Sequence, residues 1–118
     1  MLNRFVGLML LLIIVAAGAE MFTVEIGDNF FDPDYIEISP GDRIKWINVG
    51  SNAHRVKSDT DLFDSGRLDP GDDYIRTFNS EGSFGYYDTF FPSVTGTIEV
   101  VESAVEETSW GKIRAMYR

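Results

Sequence analysis

The sequence predicts an all-β domain folded as an antiparallel sandwich or barrel, and three observations support that prediction. Short segments alternate apolar and polar residues, turn signals separate these segments at close spacing, and no helical pattern interrupts them between residues 22 and 102. A chain of 118 residues is long enough for one small domain. About seven or eight strands in so short a body favour two packed sheets.

The predicted strands follow one another from residue 22 to residue 101. They are FTVEI (22–26), YIEIS (35–39), RIKWIN (43–48), HRVKS (54–58), DYIRTF (73–78), FGYYD (84–88) and GTIEVV (96–101). In the first strand Phe22, Val24 and Ile26 share one face. The segments SPGD (39–42) and DPGD (69–72) place proline second and glycine third, which is typical of a tight turn.

The first 19 residues differ from the rest of the chain. One positive charge in MLNR precedes FVGLMLLLIIVAAGA (5–19), an apolar run of 15 residues that ends in the A-x-A pattern suited to signal peptidase. The run is shorter than the roughly 20 residues that span a bilayer. Residues 1–19 are therefore predicted to be a cleaved signal peptide, with an uncleaved membrane anchor through residues 5–19 as the alternative. Either way the body, residues 20–102, is exported.

Residues 103–118 form a tail of different character. Trp110, Ile113 and Tyr117 recur at the spacing of one helix face. Glu106 and Glu107 precede the basic residues of the tail, an order that complements a helix dipole. The tail is either a short amphipathic helix that docks on a partner, on a membrane or on its own domain, or a frayed terminus.

Charge and residue inventory exclude several classes of function. The net charge of −9 includes one positive charge before residue 20 and a net +1 after residue 102, so the body carries −11. A nucleic-acid-binding surface needs clustered cations, so we expect no nucleic-acid partner. Without cysteine the chain has no disulfide and no thiolate chemistry. A Ser–His–Asp site would have to use His54, and no serine lies in a G-x-S-x-G-like motif. We therefore predict that the protein has no catalytic residues and is not an enzyme.

Two long segments resemble the plastocyanin and amicyanin group of cupredoxins. In ISPGDRIKWINVGSNAHRV (38–56), a P-G-D turn leads into a strand with W-x-N and then to a histidine followed by x-V. FDSGRLDPGDDYIRTFNSEGSFGYYD (63–88) continues with F-x-S-G-x-L-x-P-G and an aromatic G-x-F-x-Y strand. The resemblance covers essentially the whole body and implies a Greek-key antiparallel β-sandwich of the cupredoxin type.

In that family a type 1 copper ion is held by one upstream histidine and by a loop that supplies cysteine, histidine and methionine. Carried over by position, the upstream histidine is His54, the cysteine position holds Asp88, the second histidine position holds Phe91 and the methionine position holds Val94. The resemblance therefore implies a degenerate copper loop of unchanged length that lacks three of the four donors.

The two remaining donors, His54 and Asp88, have two interpretations. A carboxylate is a hard donor and Phe91 cannot ligate, so blue copper is not expected. We expect a polar pair with no tightly bound cofactor. The alternative is a weak Cu(II) ion on His54 and Asp88, completed by water or another carboxylate and falling short of the usual three protein ligands.

Phe90, Phe91 and Pro92 lie at the end of the parent fold through which redox partners dock. We expect one phenylalanine ring to fill the place of the metal and the other to stay near the surface, with burial of both as the alternative. Together with the N-terminal segment and the tail, this loop predicts an accessory or interaction subunit of a complex on the periplasmic or cell-surface side of a membrane, with protein partners. The alternative function is a non-blue copper protein for copper handling or electron transfer.

Overall fold

The computed structural model describes residues 20–102, which form eight β-strands with no helix among them. The strands are β1 (Met21–Ile26), β2 (Phe31–Asp32), β3 (Tyr35–Ile38), β4 (Asp42–Asn48), β5 (Val56–Ser58), β6 (Asp73–Phe78), β7 (Gly82–Asp88) and β8 (Phe91–Val100). One four-stranded sheet has the order β2-β1-β4-β6 and the other has the order β3-β8-β7-β5. The predicted all-β sandwich is confirmed. The predictions for residues 1–19 and 103–118 lie outside the described residues.

Each sheet contains one parallel pair of strands, so the expected purely antiparallel pairing is corrected. In the first sheet β1 runs parallel to β4, with Phe22 opposite Ile44. In the second sheet β3 runs parallel to β8, with Ile36 opposite Ile98. The other neighbouring pairs are antiparallel. The parallel pairs arise because the chain crosses to the other sheet between the paired strands instead of turning back in a hairpin.

Trp46 lies at the centre of the core, where the two sheets pack together. Its side chain is fully buried, and the rings of four other aromatic residues have centroids between 5.4 and 6.3 Å from its own. Those residues are Phe63, Tyr74, Phe78 and Tyr86. Rings at this spacing add attraction beyond the burial of their area.

The two predicted proline–glycine turns are present. Gly41 has a φ of 96° and Gly71 a φ of 93°, values that glycine adopts at little cost. In the first turn the N–H of Asp42 donates to the carbonyl of Ser39 at 3.0 Å. Proline second and glycine third match the dihedral angles of a type II turn.

Strands β1, β4 and β7 all finish at the same end of the sandwich. There the loop after β1, the loops around residues 49–53 and 66–68, and the turn between β7 and β8 meet around one histidine. Within residues 20–102 there is no helix of the length and hydropathy needed to cross a bilayer.

Candidate functional site

His54 is held in the interior at the loop end of the sandwich. Its side chain has no exposed surface. Its backbone N–H donates to the carbonyl of Leu68 at 3.0 Å, and its own carbonyl accepts from the N–H of Leu68 at 2.8 Å. This isolated bridge joins two loops, so the backbone of His54 is fixed by the loop 66–68 rather than by a long strand.

Asp88, the last residue of β7, makes direct contact with His54. Its Oδ2 lies 2.5 Å from Nδ1 of the imidazole. Its Oδ1 accepts from the backbone N–H groups of Arg55 at 3.2 Å and Phe90 at 3.0 Å. The residue is 1% exposed, and an irregularity in the strand register at Tyr87 and Asp88 places it at the turn. Both carboxylate oxygens are therefore occupied by hydrogen bonds.

Asp28 contacts the opposite edge of the same imidazole. Its Oδ1 lies 3.0 Å from Nε2 of His54, and it also accepts from the backbone N–H groups of Ser51 at 2.9 Å and Asn52 at 3.0 Å. The hydrogen bond with His54 and those from the two backbone groups lower the pKa of Asp28 to about 2. Asp28 is half-exposed, so this edge of the cluster borders solvent.

His54 thus lies between two carboxylates, one on each ring nitrogen. When both nitrogens carry protons, each donates to one carboxylate and the ring is a cation between two anions. The three side chains come from three separate parts of the chain, 26 and 34 residues apart in sequence. The arrangement, here called the Asp28–His54–Asp88 cluster, therefore ties three loops together.

Asn48 secures the neighbouring loop. Its Nδ2 donates to the carbonyls of Asn52 at 2.8 Å and Leu68 at 3.0 Å. Its Oδ1 accepts from the N–H of Gly50 at 2.8 Å. Asn48 is buried at the end of β4, so it presents these groups from a rigid strand. The backbone N–H groups that bind Asp28 belong to the loop that Asn48 holds.

Phe90 and Phe91 both remain partly exposed, at 43% and 37%. The ring of Phe91 lies over the imidazole of His54, with centroids 5.2 Å apart. The expectation that one ring is buried in the place of the metal is therefore wrong, and so is the alternative that both are buried. The physical reason is that His54 and Asp88 touch directly, which leaves no space between them for a ring. Pro92 is exposed, and Val94 packs against the core.

The contact between His54 and Asp88 is too short for both atoms to ligate one metal ion in this arrangement. Nitrogen and oxygen ligands bind a metal at about 2.0–2.2 Å, which separates two ligands of one ion by about 3 Å or more. Within residues 20–102 no three acidic, histidine or cysteine side chains are grouped as metal ligands would be. Asp28 and Asp88 contact opposite nitrogens of the ring, so they do not converge on a common point.

The pairing of His54 with Asp88 follows the positions given by the resemblance, whereas Asp28 was not identified from the sequence. Asp28 lies in a polar loop next to Asn29, where a carboxylate is unremarkable on composition alone. The only sequence signal is its place two residues after β1, whose carboxyl end meets that of β4 because the two strands are parallel. That parallel pairing was itself not predicted.

Comparison with solved structures identifies the fold. The structure is similar to a purple cupredoxin from Nitrosopumilus maritimus, with 29% identity over 67% of this chain and 98% of that chain and a TM-score of 0.64. It is also similar to a reduced amicyanin variant, with 22% identity, coverage of 75% and 87%, and a TM-score of 0.65.

A further similar structure is the copper-containing nitrite reductase from Thermus scotoductus, with 24% identity and a TM-score of 0.64. The match covers 69% of this chain but 22% of the reductase, so the chain corresponds to a fraction of that enzyme. No model of a protein family matches the sequence. The similarity covers most of the chain and nearly all of the small cupredoxin, and the protein is therefore a cupredoxin-like β-sandwich.

Proposed function

We propose that this protein is an exported interaction module in which a cupredoxin scaffold works without a type 1 copper centre. One observation carries the proposal: Nδ1 of His54 contacts Asp88 at 2.5 Å, and both oxygens of that carboxylate are already hydrogen-bonded. Type 1 copper needs a thiolate and two imidazoles, and the matching positions hold Asp88 and Phe91. The donors present do not fit that ion.

The surface next to the cluster supports a role in protein contacts. Phe90 in the turn after β7 and Phe91 and Pro92 at the start of β8 are all exposed, and Phe30 is 45% exposed in the loop that carries Asp28. Aromatic side chains, phenylalanine among them, are enriched in the buried cores of protein interfaces. The hydrogen bonds of Asp88 to the backbone of Phe90 and Arg55 fix the turn that presents these rings, so binding a partner costs little ordering entropy.

The assembly we propose is a complex on the outer side of a membrane. The apolar segment 5–19 supports export, and the stripe formed by Trp110, Ile113 and Tyr117 supports a second contact with the complex. In this proposal the domain is an accessory subunit and carries out no catalysis.

Metal analysis of the full chain tests the first part of the proposal. The protein is loaded with Cu(II), and separately with Zn(II), and then dialysed against a weak chelator. We expect less than stoichiometric metal and no intense visible band. Stoichiometric copper that disappears in both His54→Ala and Asp88→Ala would overturn the proposal and support a non-blue copper site on those two residues, for copper handling or slow redox work.

Purification from the source membrane in mild detergent tests the second part. We expect the protein to elute with other chains, and we expect Phe90→Ser to release it while the melting temperature stays unchanged. Ile75→Ser is the matched control, because Ile75 is 45% exposed on an edge strand remote from the turn. Elution of the wild-type protein alone, as a soluble monomer that begins at Glu20, contradicts the proposal.

A further inference from the structure

Arg76 occupies an unusual position for a charged residue. It lies on β6, an edge strand, and its side chain shares a face with the partly buried Tyr74 and the buried Phe78, opposite the exposed residues of the strand. The guanidinium carbon lies 5.2 Å from the ring centroid of Phe63 and 5.4 Å from that of Phe78. Two aromatic faces therefore hold this cation in a fixed orientation.

Arg76 also has no anionic partner within residues 20–102. Lys45, Arg55, Lys57 and Arg67 each pair with an aspartate, whereas Arg76 forms no such pair. Its Nε is buried without a hydrogen-bond acceptor. A buried donor without an acceptor destabilises a fold, so a carboxylate that reached Nε would remove this cost.

A cleft of about 230 Å³ opens beside this guanidinium. Its lining combines apolar surface from Leu62 and Phe84 with polar groups from Asn79 and Ser80. The volume is below the roughly 300–1,000 Å³ of sites that hold drug-sized ligands. The cleft has room for one acidic side chain with its aliphatic stem, and Arg76 supplies the matching charge.

We propose that this cleft binds one carboxylate of the acidic pair Glu106–Glu107 in the chain's own tail. Asn79 and Ser80, which line the cleft, belong to the turn that leads into Gly82, and Gly82 pairs with Val100, the last residue of β8. The tail thus leaves the domain beside the cleft. Glu106 lies five positions beyond Val101, and an extended chain spans about 17 Å over that distance.

Proximity favours the chain's own carboxylates over those of another molecule. A group joined to its binding site by a short stretch of the same chain has an effective concentration of about the millimolar range. A separate acidic peptide must reach that concentration to compete, and it must also approach a strongly acidic body. The inference does not depend on the proposed membrane complex or on whether the protein binds a metal ion.

Trypsin cleavage of the tail at Lys112 and Arg114 in the folded, full-length protein tests the inference. We expect Arg76→Gln to raise the cleavage rate about threefold to fivefold, the effect of losing one partly buried ion pair. We expect the double variant Glu106→Gln/Glu107→Gln to have the same effect, and the combination of all three changes to add nothing further. Arg43→Gln, which removes an exposed cation from β4, is the matched control and should leave the rate unchanged.

The NMR signal of the Arg76 Nε–H gives a second readout that does not depend on tail structure. It should shift when Glu106 and Glu107 are both changed to glutamine. The inference is overturned if the cleavage rate is unchanged in Arg76→Gln and in Glu106→Gln/Glu107→Gln and the Arg76 signal is unchanged in the double variant. A second outcome also overturns the inference. In it the Arg76 signal is unchanged by the two glutamine substitutions but shifts when an acidic peptide is added to the full chain, because the cleft then takes a carboxylate from another molecule.

Discussion

The imidazole of His54 and the carboxylate of Asp88 are in direct contact in the interior, with Nδ1 and Oδ2 separated by 2.5 Å. Neither residue has appreciable exposed surface. Each partner would be costly to bury alone, because a buried polar or charged group without a partner loses its hydration and gains nothing in return. The stability of this end of the sandwich therefore depends on both residues being present.

Asp88→Asn should destabilise the fold by about 3–5 kcal/mol, because it removes the buried carboxylate on Nδ1 and leaves His54 only the half-exposed Asp28 as an anionic partner. Urea denaturation of the wild-type protein and the variant measures the difference. Asp64→Asn is the control: it removes the hydrogen-bonded ion pair with Arg55 on the surface and should cost about 1 kcal/mol or less. Equal losses in the two variants would contradict the role assigned to the buried pair.

Asp88→Cys combined with Phe91→His should convert the cluster into a blue copper site. The double change supplies a thiolate and a second imidazole beside His54, the donors that type 1 copper needs. Asp88→Cys alone should not give the colour, because Phe91 still occupies the second imidazole position. The visible absorption and EPR spectra of the copper-loaded variants measure this, and a colourless double variant would show that the loop positions are wrongly matched.

Asp28 should make stability depend on pH in the acid range. Hydrogen bonds with His54 and with two backbone N–H groups hold its pKa at about 2, below the ordinary 3.8. A carboxyl group whose pKa is depressed by folding stabilises the folded state above its ordinary pKa, and that contribution disappears as the pH falls through the folded value. The stability difference between the wild-type protein and Asp28→Asn should therefore be constant above about pH 5 and shrink between about pH 4 and pH 2. A difference that stays constant down to pH 2 would be inconsistent with this assignment.

Gly96→Ala should destabilise the fold because Tyr86 occupies the space that a side chain would need. A Cβ on Gly96 would lie 2.4 Å from the hydroxyl oxygen of the buried Tyr86. Overpacking of this kind costs about 1–3 kcal/mol. Gly85→Ala is a control on the neighbouring strand, where the Cβ would meet the flexible end of the exposed Asp59 and the cost should be small. Thermal unfolding of the two variants distinguishes these outcomes.

The features predicted from the sequence are those encoded by local chemistry or by position. The turns at Gly41 and Gly71 follow from proline and glycine at adjacent places, because these residues favour particular dihedral angles whatever surrounds them. The alternation in β4 predicts which side chains are buried, and Trp46 and Ile44 are indeed fully buried. The proximity of His54 and Asp88 follows from their places in the resemblance.

The features that were missed depend on contacts between distant parts of the chain. Alternation shows which face of a strand is buried but not which strand lies beside it, so the parallel pairing of β1 with β4 was not predicted. Asp28 acquires its role through that pairing. The exposure of Phe90 and Phe91 depends on how closely His54 approaches Asp88, a distance that no sequence pattern reports.

The hydrogen bonds that join Asp28, His54 and Asp88 also bear on how the protein matures. A structural metal couples folding to the supply of that metal, because the free energy of binding is part of the free energy of folding. In this domain side chains of the chain itself close the loop end, with backbone N–H groups of residues 51, 52, 55 and 90 as further partners. On the proposal that no type 1 copper is bound, we expect the domain to fold at the same rate whether or not copper is supplied.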